Sequence, residues 1–335
     1  MNTAKCCPAS GCCPAPTMPA IPTASTQLTF KDIFGGWKVR WGIGRMNYRV
    51  APGLYAVGKP DKNSPILVSA NYKLTFDSLR KELSGLNCWL LILDTKGVNV
   101  WCAAGKGTFG TEELINRLAQ TGLAEKVATK TLIVPQLGAP GINANEVKRQ
   151  TGFTVAYGPV RAGDIKAFLA AGNQATEQMR TVKFTLYDRL VLTPLEIVLA
   201  AKVTLFVFGI LFLLNLFITR PFGITDFTAL TGAVLVGALI TPVLLPFIPG
   251  RAFAFKGGLL GLIWAVSIVC WLGAAPGYLL VLPAIAAFLA MNFTGASTYT
   301  SPSGVLKEMK VALPIILIAL VLGVIWVLLS HIVGL

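Results

Sequence analysis

Residues 64–94 read SPILVSANYKLTFDSLRKELSGLNCWLLILD, in which two short apolar runs flank a segment with helical spacing. The runs, 64–70 and 88–94, are rich in the aliphatic and aromatic residues that form buried strands. Between them, apolar side chains recur at positions 74, 76, 79 and 83, which is roughly the spacing of one helix face. This stretch predicts a strand, a helix and a second strand.

The same alternation continues along the chain and predicts the fold class. Further strands are expected at 131–135 and 153–159, and helices at 111–122, 143–152 and 162–172. Near-continuous apolar strands that alternate with helices are typical of a parallel sheet covered on both faces, so we expect an α/β, Rossmann-like domain. Two segments, KVRWG (38–42) and VNVWC (98–102), are interpreted as short strands.

Ligands of such sheets bind beyond the carboxyl ends of the strands, which directs attention to four loops. These are SANYK (69–73), DTKGVNVWCAAGKG (94–107), VPQLGAPG (134–141) and YGPVRA (157–162). The second loop contains Cys102, which three readings fit: a packed thiol, a nucleophile, or a ligand for a large flat group. The small residues after Cys102 leave room for a ligand near the backbone, and a helical turn and Lys106 would favour a thiolate.

Several other site classes are disfavoured. A GxGxxG pattern occurs at Gly105, Gly107 and Gly110, but the Walker spacing is absent and no acidic residue follows 131–135 to bind a ribose. The single histidine, His331, lies in a late apolar segment. Multi-histidine zinc sites, catalytic dyads or triads with histidine and histidine-ligated haem are therefore not expected in the polar part of the chain.

Composition predicts a second, membrane-embedded part. The chain is 54% hydrophobic, with a mean hydropathy of +0.66. Before residue 190 there are 23 Lys and Arg and 12 Asp and Glu, whereas 6 and 3 follow it. Five apolar segments approach the length that crosses a bilayer: 197–218, 228–248, 257–274, 277–292 and 312–333. Ion and proton relays use ionisable residues inside the membrane, and the only candidates in or next to these segments are Glu196, Lys202 and His331. An anchor is therefore favoured over a transporter.

The distribution of charge predicts the orientation. Arg251, Lys256, Lys307 and Lys310 would face the cytoplasm with the polar domain, whereas Arg220 would lie outside, as would the C-terminus. A four-span alternative would return the C-terminus to the cytoplasm. The net charge of +14 suits anionic lipids, an anionic cofactor tail or an acidic redox partner, and no nucleic-acid motif is present.

The cysteines and the N-terminus indicate the compartment. The seven cysteines are Cys6, Cys7, Cys12, Cys13, Cys88, Cys102 and Cys270. No apolar secretory region is visible, so we expect a reducing cytoplasm for the polar domain. The expected organisation is a flexible Cys/Pro-rich tail (1–28), a ligand-binding domain (29–175), a linker (176–196) and a transmembrane domain (197–335).

The stretch NVWCAAGKGTFGTEEL (99–114) closely resembles the cap-helix motif of the mercury-methylating corrinoid protein family, HgcA, with its N-(V/I)-W-C-A-(A/G)-G-K pattern. PILVSANYKLTFDSLRKEL and VAYGPVRAGDIKAFL resemble that family's corrinoid-binding domain, which is similar to the large subunit of the corrinoid iron–sulfur protein. The resemblance covers about residues 30–335. The Cys-rich tail is not part of the pattern.

The resemblance implies an enzyme, a membrane-anchored methyltransferase that transfers a methyl group from the cobalt of a cobalamin-type corrinoid to Hg(II), forming methylmercury. Cys102 would be the catalytic residue and the axial metal ligand, in place of histidine or benzimidazole. Implied partners are an HgcB-type ferredoxin with two 4Fe–4S clusters, a methyl donor of the methyltetrahydrofolate route and the inner membrane. The alternatives are a corrinoid methyl carrier for one-carbon metabolism and a non-catalytic transporter or scaffold.

The positions that the resemblance places along the corrinoid come from the four loops. They are Asn71, Tyr72, Thr75, Asn99, Val100, Trp101, Ala103, Ala104, Gly105, Lys106, Gly107, Thr108, Phe109, Pro135, Gln136, Leu137, Gly138, Gly158, Pro159 and Ala162. A further hypothesis gives the four tail cysteines the role of handing Hg(II) to cobalt, since soft thiolates hold it well.

Overall fold

The computed structural model describes residues 21–294 and 302–333, which divide into two compact units. The first unit contains residues 21–29 and Tyr48–Arg180, and the second contains Phe30–Asn47 and the described residues from Thr181 onwards. The four tail cysteines lie outside the described residues. The hypothesis that they hand over Hg(II) therefore concerns a part of the chain that the structure does not describe.

The elements follow in chain order. The strands are β1 (Gly53–Val57), β2 (Ile66–Ala70), β3 (Cys88–Leu93), β4 (Thr131–Val134) and β5 (Thr154–Tyr157). The helices are α1 (Phe30–Arg40), α2 (Lys73–Glu82), α3 (Val100–Lys106), α4 (Thr111–Thr121), α5 (Leu123–Lys126), α6 (Ala144–Thr151), α7 (Ile165–Ala170), α8 (Glu177–Arg180), α9 (Leu186–Leu190), α10 (Thr193–Leu214), α11 (Ile224–Leu235), α12 (Thr241–Leu244), α13 (Phe253–Leu272), α14 (Tyr278–Asn292) and α15 (Pro302–Val333). Short 3₁₀ turns cover Arg45–Asn47, Gln136–Gly141 and Ala162–Asp164, and a π-helical segment, Val236–Ile240, joins α11 to α12.

The first unit is built on one five-stranded sheet in the order β1-β3-β2-β4-β5. Strands β2 to β5 run parallel, whereas β1 pairs antiparallel with β3 along one edge. The predicted α/β class is confirmed, and the antiparallel edge is an addition that large parallel sheets often carry.

Both faces of the sheet are buried, as the apolar strands require. In β3 the side chains of Trp89, Leu91 and Leu93 join one core cluster, whereas those of Leu90 and Ile92 join the other. The first cluster is closed by side chains of α3, α4 and α6, and the second by side chains of α2 and α7. A side-chain period of two therefore sends alternate residues of one strand into two cores.

Two segments that we interpreted as strands are helical. VNVWC falls mostly in α3, because β3 ends at Leu93 and the Asn99 side chain caps a new helix. KVRWG lies at the end of α1, where the glycines at positions 35 and 36 obscured a helical apolar spacing that begins at Phe30. In both cases a short apolar run was read with period two, although the longer window has the helical period.

Residues 21–28, which the sequence analysis assigned to the tail, pack within the first unit. Thr23 forms a parallel bridge with Ala56, and Ala24 is buried. The carbonyl oxygen of Gln27 accepts a hydrogen bond from Arg80 Nη1 at 3.0 Å, and Arg80 in turn pairs with the buried Asp77 at 2.8 Å. This stretch is thus held by β1 and α2.

The second unit is helical. Among the residues that the structure describes, four helical stretches are long and apolar enough to cross a membrane: Leu186–Leu214, Ile224–Leu244, Phe253–Leu272 and Ser303–Val333. A shorter apolar helix, Tyr278–Asn292, contains Pro283. Each of the five predicted segments overlaps one of these, and the last helix begins well before the predicted start at 312 because Lys307, Glu308 and Lys310 lie within it.

A buried carboxylate that the sequence analysis did not single out joins three helix ends in this unit. Asp226, in the first turn of α11, accepts hydrogen bonds from Tyr278 Oη (2.8 Å) and the Gly223 N–H (2.8 Å). His331 Nε2 lies 3.3 Å from the same carboxylate, and its Nδ1 lies 2.8 Å from the carbonyl oxygen of Arg220. Both imidazole nitrogens thus face oxygen atoms of the helix ends around Asp226.

Candidate functional site

The strand order places the candidate site at a topological switch point. The chain leaves β2 toward β3 through α2, whereas it leaves β4, on the opposite side of β2, away from β2 and toward β5 through α6. The loops after β2 and β4 therefore diverge at the carboxyl edge of the sheet. Open α/β sheets bind ligands in the crevice that such a divergence creates.

Helix α3, which carries Cys102, begins and ends at defined residues. The Cys102 N–H donates a hydrogen bond of 2.9 Å to Asn99 Oδ1, which satisfies one of the free N–H groups of the first turn. At the other end Gly107 adopts a left-handed conformation with φ of 79°, which is why this position favours glycine. Cys102 thus has a fixed backbone position in the first turn of the helix.

The seven residues of α3 separate into a buried and an exposed face. Val100, Ala103 and Ala104 are buried in the core. The exposed face consists of Trp101, Cys102, Gly105 and Lys106, and we call it the Cys102 face. Trp101 is 39% exposed, unusual for a large aromatic side chain in a well-packed domain. The thiol, an indole and an ammonium group therefore share one short exposed surface.

The small residues after Cys102 have two different surroundings. Ala103 and Ala104 belong to the first core cluster, where small side chains let α3 lie close to the sheet. Gly105 is on the Cys102 face, and a Cβ atom built there would meet nothing within 4 Å. The room that we expected beside the cysteine is thus found at Gly105, whereas the two alanines face the protein interior.

The loop after β4 supports α3 through contacts that only glycine allows. A Cβ atom on Gly138 would lie 2.5 Å from the ring of Phe109, which is fully buried. A Cβ atom on Gly141 would collide with the carbonyl oxygen of Phe109 and lie 3.3 Å from Ala104 Cα. The 3₁₀ turn after β4 therefore packs directly on the end of α3 and the residues that follow it.

Asn71, at the end of β2, braces the loop that leads to Cys102. Its Nδ2 donates to Asp94 Oδ1 at 3.0 Å, while its Oδ1 accepts from the Thr95 N–H, the Thr95 hydroxyl and the Gly97 N–H at 2.9–3.1 Å. Asn71 is 1% exposed. Its side chain joins the ends of β2 and β3, and a direct contact with a ligand stays a prediction.

Asp94 and Glu113 take part in this brace, although the sequence analysis did not name them. The side chain of Lys96 donates to Asp94 Oδ2 at 2.7 Å, and this bond is the main reason that the pKa of Asp94 is lowered. The Asp94 N–H donates to Glu113 Oε1 at 2.8 Å, and Glu113 pairs with Arg117 at 2.7 Å. The sequence signal for Asp94 was its position, since it is an acidic residue directly after an apolar strand.

The other predicted positions lie around this edge. Buried positions are Tyr72, Gly138, Gly158 and Pro159, and half-buried positions are Thr75, Thr108, Pro135, Gln136, Leu137 and Ala162. The Gly158 N–H donates to the carbonyl oxygen of Val134 at 2.8 Å, which joins the ends of β4 and β5. Gln136 Oε1 accepts from Arg180 Nη1 at 2.8 Å. These bonds join the end of β4 to the end of β5, and the loop after β4 to α8.

The cysteines of the described residues differ sharply in accessibility. Cys88 is fully buried in β3, and this burial raises its pKa to about 12, so the thiol stays protonated. In the unfolded chain the pKa of this thiol is near 9.0. The folded state therefore loses stability as the pH rises from about 9 to about 12. Cys102 and Cys270 are exposed. Among described residues, no group of three His, Cys, Asp or Glu side chains is placed to hold a metal ion.

Thiol labelling of the native full-length protein checks this contrast. We expect a hydrophilic alkylating reagent at neutral pH to modify Cys102 rapidly and to leave Cys88 unmodified, because only an exposed thiolate reacts. Peptide mass spectrometry distinguishes the two sites, and labelling after denaturation provides the control for Cys88. Equal rates at Cys88 and Cys102 in the native protein would contradict the assignment.

Comparison with known proteins identifies relatives of the first unit. Residues 44–169 match the family model described as CO dehydrogenase/acetyl-CoA synthase delta subunit. The acetyl-CoA decarbonylase/synthase complex subunit gamma of Methanocaldococcus jannaschii is 34% identical over 122 residues, which are 36% of this chain and 25% of that protein. The corrinoid/iron-sulfur protein large subunit of Moorella thermoacetica is 32% identical over 125 residues, 37% of this chain and 28% of that protein.

The matched region corresponds to the sheet and its loops. The chain covers about a quarter of the length of these relatives. The match to the family model begins at residue 44, includes Cys102 and ends within α7. The part of this chain that carries the Cys102 face is therefore a domain similar to the large subunit of the corrinoid iron–sulfur protein.

Proposed function

We propose that the protein is a membrane-anchored, corrinoid-dependent methyltransferase that delivers a methyl group to Hg(II). One observation carries the proposal: Cys102 stands exposed in the first turn of α3, at the carboxyl edge of the sheet, in a region similar in sequence to a corrinoid/iron-sulfur protein. The resemblance of residues 99–106 to the mercury-methylating family supports the choice of acceptor.

The residues on this edge fit a corrinoid. The ring is large and flat, and the Cys102 face offers a thiol with open space at Gly105 one turn later. The described part of the first unit contains no histidine, so a thiolate is the strong axial donor at hand. Trp101 adds an exposed aromatic surface, and Lys106 adds a positive charge toward anionic groups of a corrinoid tail.

The chain's own residues have distinct tasks in this proposal. A bound corrinoid would supply the cobalt that takes up and releases the methyl group. Cys102 would hold that cobalt as a thiolate, a soft and strongly donating ligand that would suit methyl transfer to the soft acceptor Hg(II). Asn99 holds the Cys102 backbone, and Asn71 holds the loop before it. These braces limit movement of the donor sulfur.

The helical unit would anchor this chemistry at the inner membrane. Its four span-length helices and the shorter α14 support a five-span arrangement. The distribution of Lys and Arg favours a cytoplasmic first unit and an external C-terminus. Electrons and methyl groups would come from partners, namely a ferredoxin of the HgcB type with two 4Fe–4S clusters and a donor of the methyltetrahydrofolate route.

A second candidate function follows from the relatives themselves. The matched proteins are named as subunits of acetyl-CoA decarbonylase/synthase and of the corrinoid iron–sulfur protein. This likeness favours a corrinoid methyl carrier that serves one-carbon metabolism. The two candidates share the Cys102 face and differ in the acceptor.

The experiment that tests the proposal compares cells with and without the gene. We expect methylmercury formation under anaerobic conditions only in cells that carry the gene, and we expect anaerobically purified protein to bind corrinoid and absorb visible light. Corrinoid-loaded protein with no mercury methylation would favour the methyl carrier. A colourless protein that takes up no corrinoid would contradict both candidates.

A further inference from the structure

Helix α1 presents an apolar stripe to the outside. Phe30, Ile33, Phe34 and Trp37 recur at intervals of three and four, so they share one face of the helix. They are 79%, 59%, 49% and 59% exposed. A surface helix of a globular domain turns such a stripe to the core, so the exposure of this one needs an explanation.

The opposite side of α1 already serves the packing. Val39 is 2% exposed and Gly36 is also buried, and both lie away from the stripe on a helical wheel. The helix is thus held by one side, and its aromatic side is left uncovered. We call Phe30, Ile33, Phe34 and Trp37 the aromatic stripe.

The rings along this side are paired. Phe30 and Phe34 stack with centroids 6.0 Å apart and planes within 8°, and Trp37 lies 5.6 Å from Trp41. Such pairs keep rigid, amphipathic rings in one layer. Tryptophan in particular is enriched where a membrane meets water.

Basic residues flank the aromatic stripe. Lys31 and Lys38 are exposed beside it, and Arg40 and Arg45 follow, whereas Asp32 is the one acidic residue between 30 and 47. An apolar stripe bordered by Lys and Arg is the pattern of helices that lie in the headgroup layer of an anionic membrane.

The position of α1 within the second unit points to the same layer. Phe30–Asn47 belongs to the unit that contains the span-length helices. Arg40 Nη1 lies 3.4 Å from Tyr187 Oη, and a Cβ on Gly42 would lie 3.2 Å from Leu195 Cδ1. Leu195 is in the first turn of α10, so α1 adjoins the end of a helix that is long enough to span a bilayer.

We propose that α1 is an interfacial helix whose aromatic stripe lies among the anionic phospholipids of the bilayer that anchors the protein. This rests on the membrane anchoring in the proposed function. The choice of lipid over a protein partner follows from the nearness of Gly42, just after α1, to the first turn of α10, since a stripe at that level meets the acyl–headgroup boundary. An acidic protein that covers the stripe is the alternative outcome.

Fluorescence quenching of the full-length protein in nanodiscs tests this. Phospholipids brominated at increasing depths along the acyl chain serve as quenchers, and the emission of Trp37 is obtained by subtracting that of the Trp37→Phe variant. Trp326, in the apolar part of the last span-length helix and seven residues before its end at Val333, is isolated in the same way through Trp326→Phe. We expect shallow bromines to quench Trp37 most and deep bromines to quench Trp326 most.

The two tryptophans separate the possible outcomes. Quenching of Trp326 without quenching of Trp37 would overturn the interfacial helix and leave the anchoring intact, whereas loss of both would contradict the anchoring itself. The anionic preference is tested by placing the bromine on anionic or on zwitterionic lipid. We expect stronger quenching of Trp37 by the anionic lipid and loss of this difference in Lys31→Gln/Lys38→Gln. Equal quenching in the unaltered protein would overturn the preference.

Discussion

Replacement of Cys102 by serine or alanine is expected to abolish methylmercury formation and to leave the first unit folded. Changes in outer-shell partners of a metal typically cost ~10–100-fold in affinity or activity, so removal of the axial donor should cost at least about 100-fold. The fold is expected to survive because the cap of α3 uses the backbone N–H of Cys102, and the core contacts come from Val100, Ala103 and Ala104.

The measurement pairs activity with the visible spectrum of corrinoid-loaded protein. Serine keeps the size of the side chain and removes the soft donor, so Cys102→Ser should lose the sulfur-to-cobalt features even where corrinoid is still bound. Cys270→Ala is the matched control, because that thiol is also exposed and lies in α13, outside the domain that binds corrinoid in our proposal. An unchanged spectrum and rate in Cys102→Ser would remove the thiolate from the mechanism.

The alternation of strands and helices in the first unit could be predicted because its strands are buried on both faces. β2 and β3 are each apolar throughout, and such runs, separated by amphipathic helices, leave few other folds. The antiparallel edge could not be predicted in this way. β1 is partly exposed, and its pairing with β3 depends on tertiary contacts that no local pattern contains.

The first residues of the helix around Cys102 were interpreted as a strand for a local reason. Seven residues are too few for helical periodicity to emerge, and VNVW has the composition of a strand. The capping asparagine at position 99 was the available signal, since Asn is among the best N-caps. The roles of Asn71 and Glu113 were beyond prediction, because each depends on the meeting of segments far apart in sequence.

The second unit was predictable in outline because hydropathy alone delimits span-length segments. The buried polar contacts of this unit could not be predicted, because they join residues that are far apart in sequence. Asp226 is tolerable in an apolar helix because Tyr278 and His331 come to it from α14 and α15. The aromatic stripe of α1 was hidden for a local reason, since two glycines elsewhere on the helix lower its apparent helical propensity.

Two glycine-to-alanine substitutions near Cys102 are expected to have opposite effects on stability. Gly105 is inside α3 with open space at its Cβ position, so Gly105→Ala should stabilise the helix by about 0.5–1 kcal/mol. Gly141 faces the carbonyl oxygen of Phe109 and the Cα of Ala104, so Gly141→Ala forces backbone to move and should destabilise by ~1–3 kcal/mol.

Hydrogen exchange of the full-length protein, followed on peptides that cover 100–141, measures both effects as changes in the free energy of local opening. We expect slower exchange in Gly105→Ala and faster exchange in Gly141→Ala. Equal effects of the two substitutions would contradict the packing of the 3₁₀ turn on α3.

Substitutions at the same two positions distinguish an effect on packing from an effect on ligand binding. Gly105→Leu adds a side chain to the Cys102 face at an exposed position whose Cβ has no protein atom within 4 Å, so the fold should persist while corrinoid uptake falls. Gly141→Ala should lower corrinoid uptake only to the extent that it loosens α3, and conditions that stabilise the fold should restore uptake. Normal corrinoid binding by Gly105→Leu would mean that the ring does not lie over this face, and the role of the small residue beside Cys102 would have to be sought in folding alone.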